Sequence, residues 1–290
     1  MKQFSGLTGV MIKLIALVVL AAYLLEIGFW RSIVSALLVG AFVSAVFGSQ
    51  GWRYCVQTYQ DMSRPGVWRP YVRQTALLII FHAALVQLQD LDWLPKVGWI
   101  NLGPSLQSLE GDWHIAISSL SPPWSAWAWV SIYIFGFPAL LIGTVIALHG
   151  RQHKDQLMQF LRASHFVAWV ALPVFAIVAV PEVWIQLPEF LPPAATVGEK
   201  LTFYRFLSGP YNCLPSLHCT LALLALMVSW NSGIPVLRWL GPLMAILVCL
   251  STLMSGVHWL LDMLISLPLA WFAWAVYANR GHLQIREANE

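Results

Sequence analysis

Ser251-Thr-Leu-Met-Ser-Gly-Val-His-Trp-Leu-Leu-Asp262 joins two apolar segments near the C-terminal end of the chain. It places a histidine and an acid where apolar sequence meets water. His258 and Asp262 are four residues apart, so they lie on one face of a helix. The carboxylate can hold one ring nitrogen and leave the other free as a nucleophile. The alternative interpretation is a structural pair that closes a helix end.

Tyr211-Asn-Cys-Leu-Pro-Ser-Leu-His218 forms a second stretch of this kind. Pro215 and Ser216 stand where a helix should begin, so Ser216 can cap it while free backbone N–H groups face outward. Such a helix start suits a phosphate oxygen, and His218 beside it can protonate a leaving oxygen. The alternative is a Pro-Ser helix start with an incidental histidine.

The composition predicts a multi-span membrane protein. Of the 290 residues, 59% are hydrophobic and only 10% are charged, far from the balance of a soluble domain. An open sheet cannot satisfy its backbone in lipid, and the alternating pattern of a barrel is missing, so the spans must be helices. The predicted fold class is all-α, a polytopic membrane helical bundle.

A span needs about 20 apolar residues, and this length gives about eight candidate transmembrane helices. They are 7–27, 31–49, 74–89, 125–149, 163–186, 216–231, 236–255 and 259–278. We divide the chain into residues 1–73, with two N-terminal helices and a cytoplasmic connection, and residues 74–290, a six-helix catalytic core. The purpose of the first two helices is not readable from the sequence.

The basic residues predict the orientation. Alternating the spans from a cytoplasmic N-terminus places most Lys and Arg residues, Arg64, Arg73 and Arg151 among them, on the cytoplasmic side. Both histidine stretches then lie on the external face. A bacterial inner membrane with the site facing the periplasm is our preferred location. An internal eukaryotic membrane with a lumenal site would give the same distribution of basic residues.

The remaining ionisable residues carry weaker signals. The external segment 90–124 contains Glu110, Asp112 and His114, and we interpret it as an interfacial helix or re-entrant segment that walls the substrate site. His114 beside Asp112 is read as an interfacial loop pair, with a place at the border of the cavity as the alternative. Glu182 and Glu189 are candidate acceptor-side bases, with an interfacial Pro-Glu turn favoured for both. The other minor candidates are read as structural: His82 as a core histidine, and the four cysteines, which lack metal-ligand spacing, as apolar packing residues. Ligand contact is the alternative for Cys213 and Cys219, which flank His218.

Pro-Ser-Leu-His, followed 33 residues later by Ser-Thr-x5-His-x3-Asp, resembles the second and third signature motifs of the type 2 phosphatidic acid phosphatase superfamily. The closer resemblance is to the inositol phosphorylceramide synthase-like branch. By this resemblance His258 would attack phosphorus and form a phosphohistidine, Asp262 would orient and charge-stabilise it, and His218 would protonate the leaving group. No metal or other cofactor is implied, because the histidines do the covalent work.

The chain departs from the superfamily pattern at the phosphate clamps. Thr252 stands where the third motif usually has Arg, and the first motif, Lys-x6-Arg-Pro, is absent. Arg205 and Lys200, just upstream of Ser216, are the best replacement cations, and solvated loop charges are the alternative. Fewer clamps should weaken binding of a doubly charged monoester more than that of a singly charged diester. This difference favours transfer of a phospho-headgroup to a lipid alcohol over hydrolysis.

The expected partners are the membrane, a phospholipid or polyprenyl phosphate substrate and a lipid alcohol acceptor. The net charge of +3 arises from residues in loops between spans, so it indicates no nucleic acid. Alternatives are a phosphatase hydrolysing phosphatidic acid or a polyprenyl (pyro)phosphate, a lipid transporter, and an inactive scaffold. The identity of donor and acceptor and the oligomeric state stay open.

Overall fold

The computed structural model of the protein describes residues 56–58, 60–61, 69–89, 100–120, 125–187, 209 and 211–287. The predicted spans at 7–27 and 31–49 lie outside the described residues, as do Lys200, Arg205 and Glu189.

The described residues are mostly helical, which confirms the predicted all-α membrane bundle. In chain order the elements are α1 (Arg69–Gln89), β1 (Ile100–Asn101), α2 (Gly103–Leu120), α3 (Ser125–Ser131), a π-helical turn (Ile132–Gly136), α4 (Phe137–Gly150), α5 (Lys154–Ile177), β2 (Val178–Ala179), α6 (Val183–Gln186), α7 (Leu217–Asn231), α8 (Pro235–Met254) and α9 (Leu260–Glu287).

Four helical segments of the described chain are long and apolar enough to cross a membrane, so the protein is an integral membrane protein. They are Ala128–Gly150, which runs from α3 through α4, then α5, α8 and Leu260–Tyr277 within α9. The predicted spans 125–149, 236–255 and 259–278 coincide with three of them. Two shorter apolar helices, Arg73–Val86 and α7, match the predicted spans 74–89 and 216–231.

The predicted span 163–186 is wrong at both ends. Helix α5 begins at Lys154 and ends at Ile177, because its charged first turns continue the helix although they lower the local hydropathy. Residues after Ile177 form β2 and the short α6 instead. Pro181 contributes to this ending, since proline has no N–H to extend a helix. Glu182 therefore does not lie within a membrane span, as predicted, but immediately precedes α6.

Helix α7 lies at the centre of the bundle, where it packs against α4, α5, α8 and α9. Its 15 residues span only about 22 Å at 1.5 Å per residue. The side chains of α7 are apolar on nearly all sides, which is typical of a helix buried among other helices. A helix this short can begin or end inside the membrane. Gly241 of α8 lies so close to Ser229 of α7 that a Cβ there would overlap the serine side chain. Small residues therefore bring the two helices together.

A small parallel pairing positions α2 against the start of α6. Ile100 pairs with Val178 and Asn101 with Ala179, and the amide of Leu102 donates to the Ala179 carbonyl at 3.1 Å. This pairing carries α2, which lies inside the predicted segment 90–124, to the end of the bundle where the chain enters α7 and α9.

Candidate active site

The turn before α9 sets the position of His258. Helix α8 ends at Met254, and the amides of Val257 and His258 both donate to the Thr252 carbonyl, at 3.0 and 3.2 Å. Gly256 has a φ of +63°, a conformation that side chains rarely adopt, so glycine is needed at this reversal. The turn leaves His258 buried, with 3% of its surface exposed.

Asp262 lies in the first turn of α9 and is fully buried. His258 lies in the turn before the helix, so the prediction that both residues share one helix face is wrong, although they do make contact. Its Oδ2 accepts a hydrogen bond from the Trp259 amide at 2.9 Å, and His258 Nδ1 lies 3.3 Å from the same oxygen. When the ring is neutral and donates from Nδ1 to the carboxylate, its Nε2 is unprotonated and can act as a nucleophile. The separation is long for such a bond, as is common for catalytic hydrogen bonds before substrate binds.

His218 is the second residue of α7 and faces His258, with 5.9 Å between the ring centroids. Ser216 is the predicted N-cap, and its Oγ accepts from the Cys219 amide at 3.2 Å, which confirms the cap. The rings of Tyr133 and Phe137 flank His218, each with its centroid 4.5 Å away. The bundle thus brings together two histidines that are far apart in sequence.

Cys213 ties the two histidine stretches together. Its thiol donates to the Val257 carbonyl at 3.3 Å. Burial raises the pKa of Cys213 well above the usual value, and the nearby charges of Asp262 and Glu182 raise it further. The sulfur therefore stays a protonated donor at neutral pH, which stabilises the turn before His258.

The environment of His258 favours its charged form. Burial lowers the pKa of His258, but the hydrogen bond that the ring donates to Asp262 and the negative charge of that carboxylate raise it by more, so the pKa lies above its usual value. A site that stabilises the imidazolium also stabilises positive charge that develops when the ring forms a covalent bond.

Three side-chain donors near this turn have the spacing of a metal site. Cys213, His258 and Asp262 offer one atom each within 4.8 Å of one another. A metal needs the thiolate form of cysteine, and the raised pKa of Cys213 opposes that form. The donor set therefore fits a metal ion poorly, and we derive no step through one.

A comparison with protein-family models matches residues 105–276 to the PAP2 superfamily. This range covers more than half of the chain. The protein belongs to the PAP2 superfamily. A phosphatase-like activity on lipid phosphates follows at the level of the superfamily. No curated protein and no solved structure matched the chain.

The match begins in α2 and ends in α9, so the part of the chain that belongs to the PAP2 superfamily includes both histidine stretches. Of the remaining candidate residues, Thr252 contributes its carbonyl to the turn, while its hydroxyl donates to the Cys249 carbonyl at 2.7 Å. Ser216 and Thr252 are both fully buried. Their predicted substrate contacts stay predictions.

Glu110 of α2 is a site residue that our sequence reasoning did not select. It contacts the first turn of α9, and its partner on α2 is His114, with 3.3 Å from His114 Nε2 to Glu110 Oε2. The expected pairing of His114 with Asp112 is wrong, because residues two apart point to different sides of a helix. The signal was present: Glu110 and His114 have the same spacing of four as His258 and Asp262.

Two minor candidates have structural surroundings. Glu182 is buried, with 2% of its surface exposed, and accepts a hydrogen bond from the Trp184 indole. His82 is half-buried, with its ring 6.0 Å edge-on from Phe175.

Proposed function

We propose that the protein is an integral-membrane enzyme that cleaves a lipid phosphate ester through a phosphohistidine on His258. The observation that carries the proposal is the His258–Asp262 pair with His218 opposite, at 5.9 Å between ring centroids. Asp262 holds Nδ1, so Nε2 is available for phosphorus. These three residues are the proposed catalytic residues.

In the first step, the Nε2 lone pair of His258 forms a bond to phosphorus. The phosphorus–oxygen ester bond breaks, its electron pair stays on the leaving oxygen, and His218 in its protonated form supplies a proton to that oxygen. Asp262 stabilises the charge that develops on the His258 ring. In the second step an acceptor hydroxyl attacks phosphorus, His218 takes its proton, and the electron pair of the phosphorus–nitrogen bond returns to Nε2.

The acceptor decides between hydrolysis and transfer. We propose transfer of a phospho-headgroup to a lipid alcohol, as in the inositol phosphorylceramide synthase-like branch. Thr252 supports this choice, because it carries no charge where the third motif usually has Arg, and its hydroxyl donates to the Cys249 carbonyl within α8. A clamp made only from Arg205, Lys200 and the α7 N-terminus at Ser216 suits a singly charged diester. Hydrolysis of phosphatidic acid or a polyprenyl (pyro)phosphate is the second candidate.

We further propose that the site faces the exterior or periplasm of a bacterial inner membrane, and that residues 74–290 form the catalytic unit, with residues 1–73 added to it. A lipid transporter is the rival class. It predicts ionisable residues near the bilayer midplane, whereas His218 and Asp262 lie in the first turns of α7 and α9, and His258 lies in the turn between α8 and α9.

The test follows phosphorus in mixed micelles. Purified protein and His258→Ala are given labelled phosphatidic acid, polyprenyl pyrophosphate and phosphatidylinositol, each with and without a lipid alcohol. His153→Ala is the matched control, since His153 precedes α5 and lies outside the proposed machinery. We expect label on the alcohol, and an acid-labile labelled protein after rapid quenching, with the wild type and the control but not with His258→Ala.

Each result has a definite meaning. Release of inorganic phosphate without an acceptor would make the protein a phosphatase. Label transfer that persists in His258→Ala would remove the nucleophile assignment. Inactivity of wild type on every donor would contradict the proposed function.

A further inference from the structure

The residue that precedes α9 has no side chain that can accept from the first amides of the helix. The first N–H groups of a helix have no partner within the helix and are usually satisfied by a polar side chain just before it. Here the preceding residue is Trp259, whose indole has a donor and no acceptor. Asp262 Oδ2 accepts from the Trp259 amide, which leaves the amides of Leu260 and Leu261 to be satisfied from elsewhere.

Glu110 supplies this cap from α2, 150 residues away in sequence. Its Oε2 accepts from the Leu260 amide at 2.7 Å, and its Oε1 accepts from the Leu261 amide at 3.0 Å. A carboxylate that binds two successive amides fixes both the height and the rotation of the turn. Its negative charge also suits the positive end of a helix.

His114 holds the carboxylate in this position. Its Nε2 lies 3.3 Å from Glu110 Oε2, and the ring is fully buried. The ring lies edge-on to Trp259, with 5.2 Å between centroids. Trp259 is itself fixed by its indole N–H, which donates to the Pro181 carbonyl at 2.7 Å. Glu110, His114 and Trp259 therefore form one contact between α2 and the turn that carries His258.

We propose that Glu110, held by His114, is a positioning residue for the reaction. It acts by setting the first turn of α9, from which Asp262 reaches His258. The inference rests on the proposed function, and it adds a residue outside both histidine stretches.

The first turn of α9 sets the position of Asp262. One oxygen of Asp262 serves both His258 Nδ1, at 3.3 Å, and the Trp259 amide, at 2.9 Å. A small rotation of the first turn would lengthen the contact with the ring, which is already long. A displacement of about 1 Å in a catalytic group can lower a rate by about 10²-fold. Loss of the cap should thus lower turnover without removing any group that touches substrate.

The test compares Glu110→Ala, Glu110→Gln and Asp112→Ala in full-length protein. Asp112 is an exposed acid on the same helix and serves as the matched control. Glutamine keeps one carbonyl oxygen that can accept from an α9 amide and preserves the shape of the side chain. The measurements are kcat and KM for the donor that wild type uses, and hydrogen exchange of a peptide that contains Leu260 and Leu261.

We expect Glu110→Ala to lower kcat by about 10- to 100-fold while KM changes by less than about twofold, as for loss of a group that orients a reactive side chain. Glu110→Gln should recover part of this loss, and Asp112→Ala should match wild type. Exchange of the Leu260 and Leu261 amides should accelerate in Glu110→Ala.

Two results would overturn the inference. One is a Glu110→Ala protein with wild-type kcat and unchanged exchange. The other is a loss of activity that follows only the folded fraction, with kcat per folded molecule unchanged. If the alanine variant fails to fold, the same comparison is made with Glu110→Gln, which must lower kcat per folded molecule. Failure of the proposed function is distinct, because wild type itself would then be inactive on every donor.

Discussion

Ser266 Oγ contacts the Ser216 carbonyl at 3.1 Å, and the same hydroxyl lies 2.7 Å from the Asp262 carbonyl. The hydroxyl has one hydrogen, so it is shared between the two acceptors. Ser266 is one turn after Asp262 on α9, and Ser216 caps the helix that carries His218. This contact therefore joins the element that orients the proposed nucleophile to the element that carries the proposed acid.

Substitution of Ser266 by alanine should weaken this connection. We expect Ser266→Ala to lower the free energy of unfolding by about 1 kcal/mol, because the buried Ser216 carbonyl loses a donor. The check is the thermal unfolding midpoint in detergent. Ser131→Ala is the control, since Ser131 makes no side-chain cap bond at the π-helical turn. Equal midpoints for Ser266→Ala and wild type would show that the shared hydrogen contributes nothing.

Asp262→Asn should lower turnover by about 10²- to 10⁴-fold, the range for loss of assistance to a proton-transferring or nucleophilic side chain. The protein should still insert and fold, because asparagine keeps an oxygen that can accept from the Trp259 amide. Rapid-quench measurement of the labelled intermediate, together with size-exclusion behaviour in detergent, checks both statements. Near-normal activity in this variant would contradict the role of the carboxylate.

The pH dependence should report the pKa of His258. The reaction needs a neutral His258 ring and a protonated His218 ring together, so kcat/KM should follow a bell-shaped pH profile in which one limb reports the pKa of His258. Asp262 raises that pKa above its usual value. Asp262→Asn removes the negative charge that favours the imidazolium, so this limb should move to a lower pH than in wild type. Superimposable profiles would argue against titration of this ring as the controlling event.

Arg205→Ala should raise KM for the phosphorylated lipid by roughly tenfold, the effect of losing one charge-assisted hydrogen bond. Turnover at saturating substrate should change less, and Lys200→Ala should have the smaller effect of the two. Steady-state kinetics on both variants make the comparison. If Arg205→Ala changes neither kinetic constant, the phosphate is held by other groups.

Labelling from outside intact cells tests the proposed orientation. Lys200→Cys should react with an impermeant maleimide, whereas Lys154→Cys should react only after the membrane is opened, because the two positions are predicted on opposite faces. The described native thiols of Cys213, Cys219 and Cys249 are buried and should give little background. The reverse pattern would place the chemistry in the cytoplasm.

Much of the fold could be predicted from local sequence. Apolar runs marked the helices, and the Pro-Ser start of α7 was correct because a cap is a contact within four residues. The start of α5 could not be predicted from hydropathy, because the charged residues from Lys154 onward are helical although they are not apolar. The pairing of His114 with Glu110 could have been predicted, because residues four apart on a helix lie on the same face.

Composition is enough to predict the class of the protein, an all-α membrane bundle, because a chain this apolar must satisfy its backbone within each span. The spacing of four residues also predicted the pairing of His258 with Asp262, although His258 lies in the turn before α9 and not on the helix. The packing of the helices places His218 beside His258 and brings Glu110 to the amides of Leu260 and Leu261. Those contacts join residues far apart in the chain, so they depend on how α2, α7 and α9 pack together, and no local pattern encodes that packing.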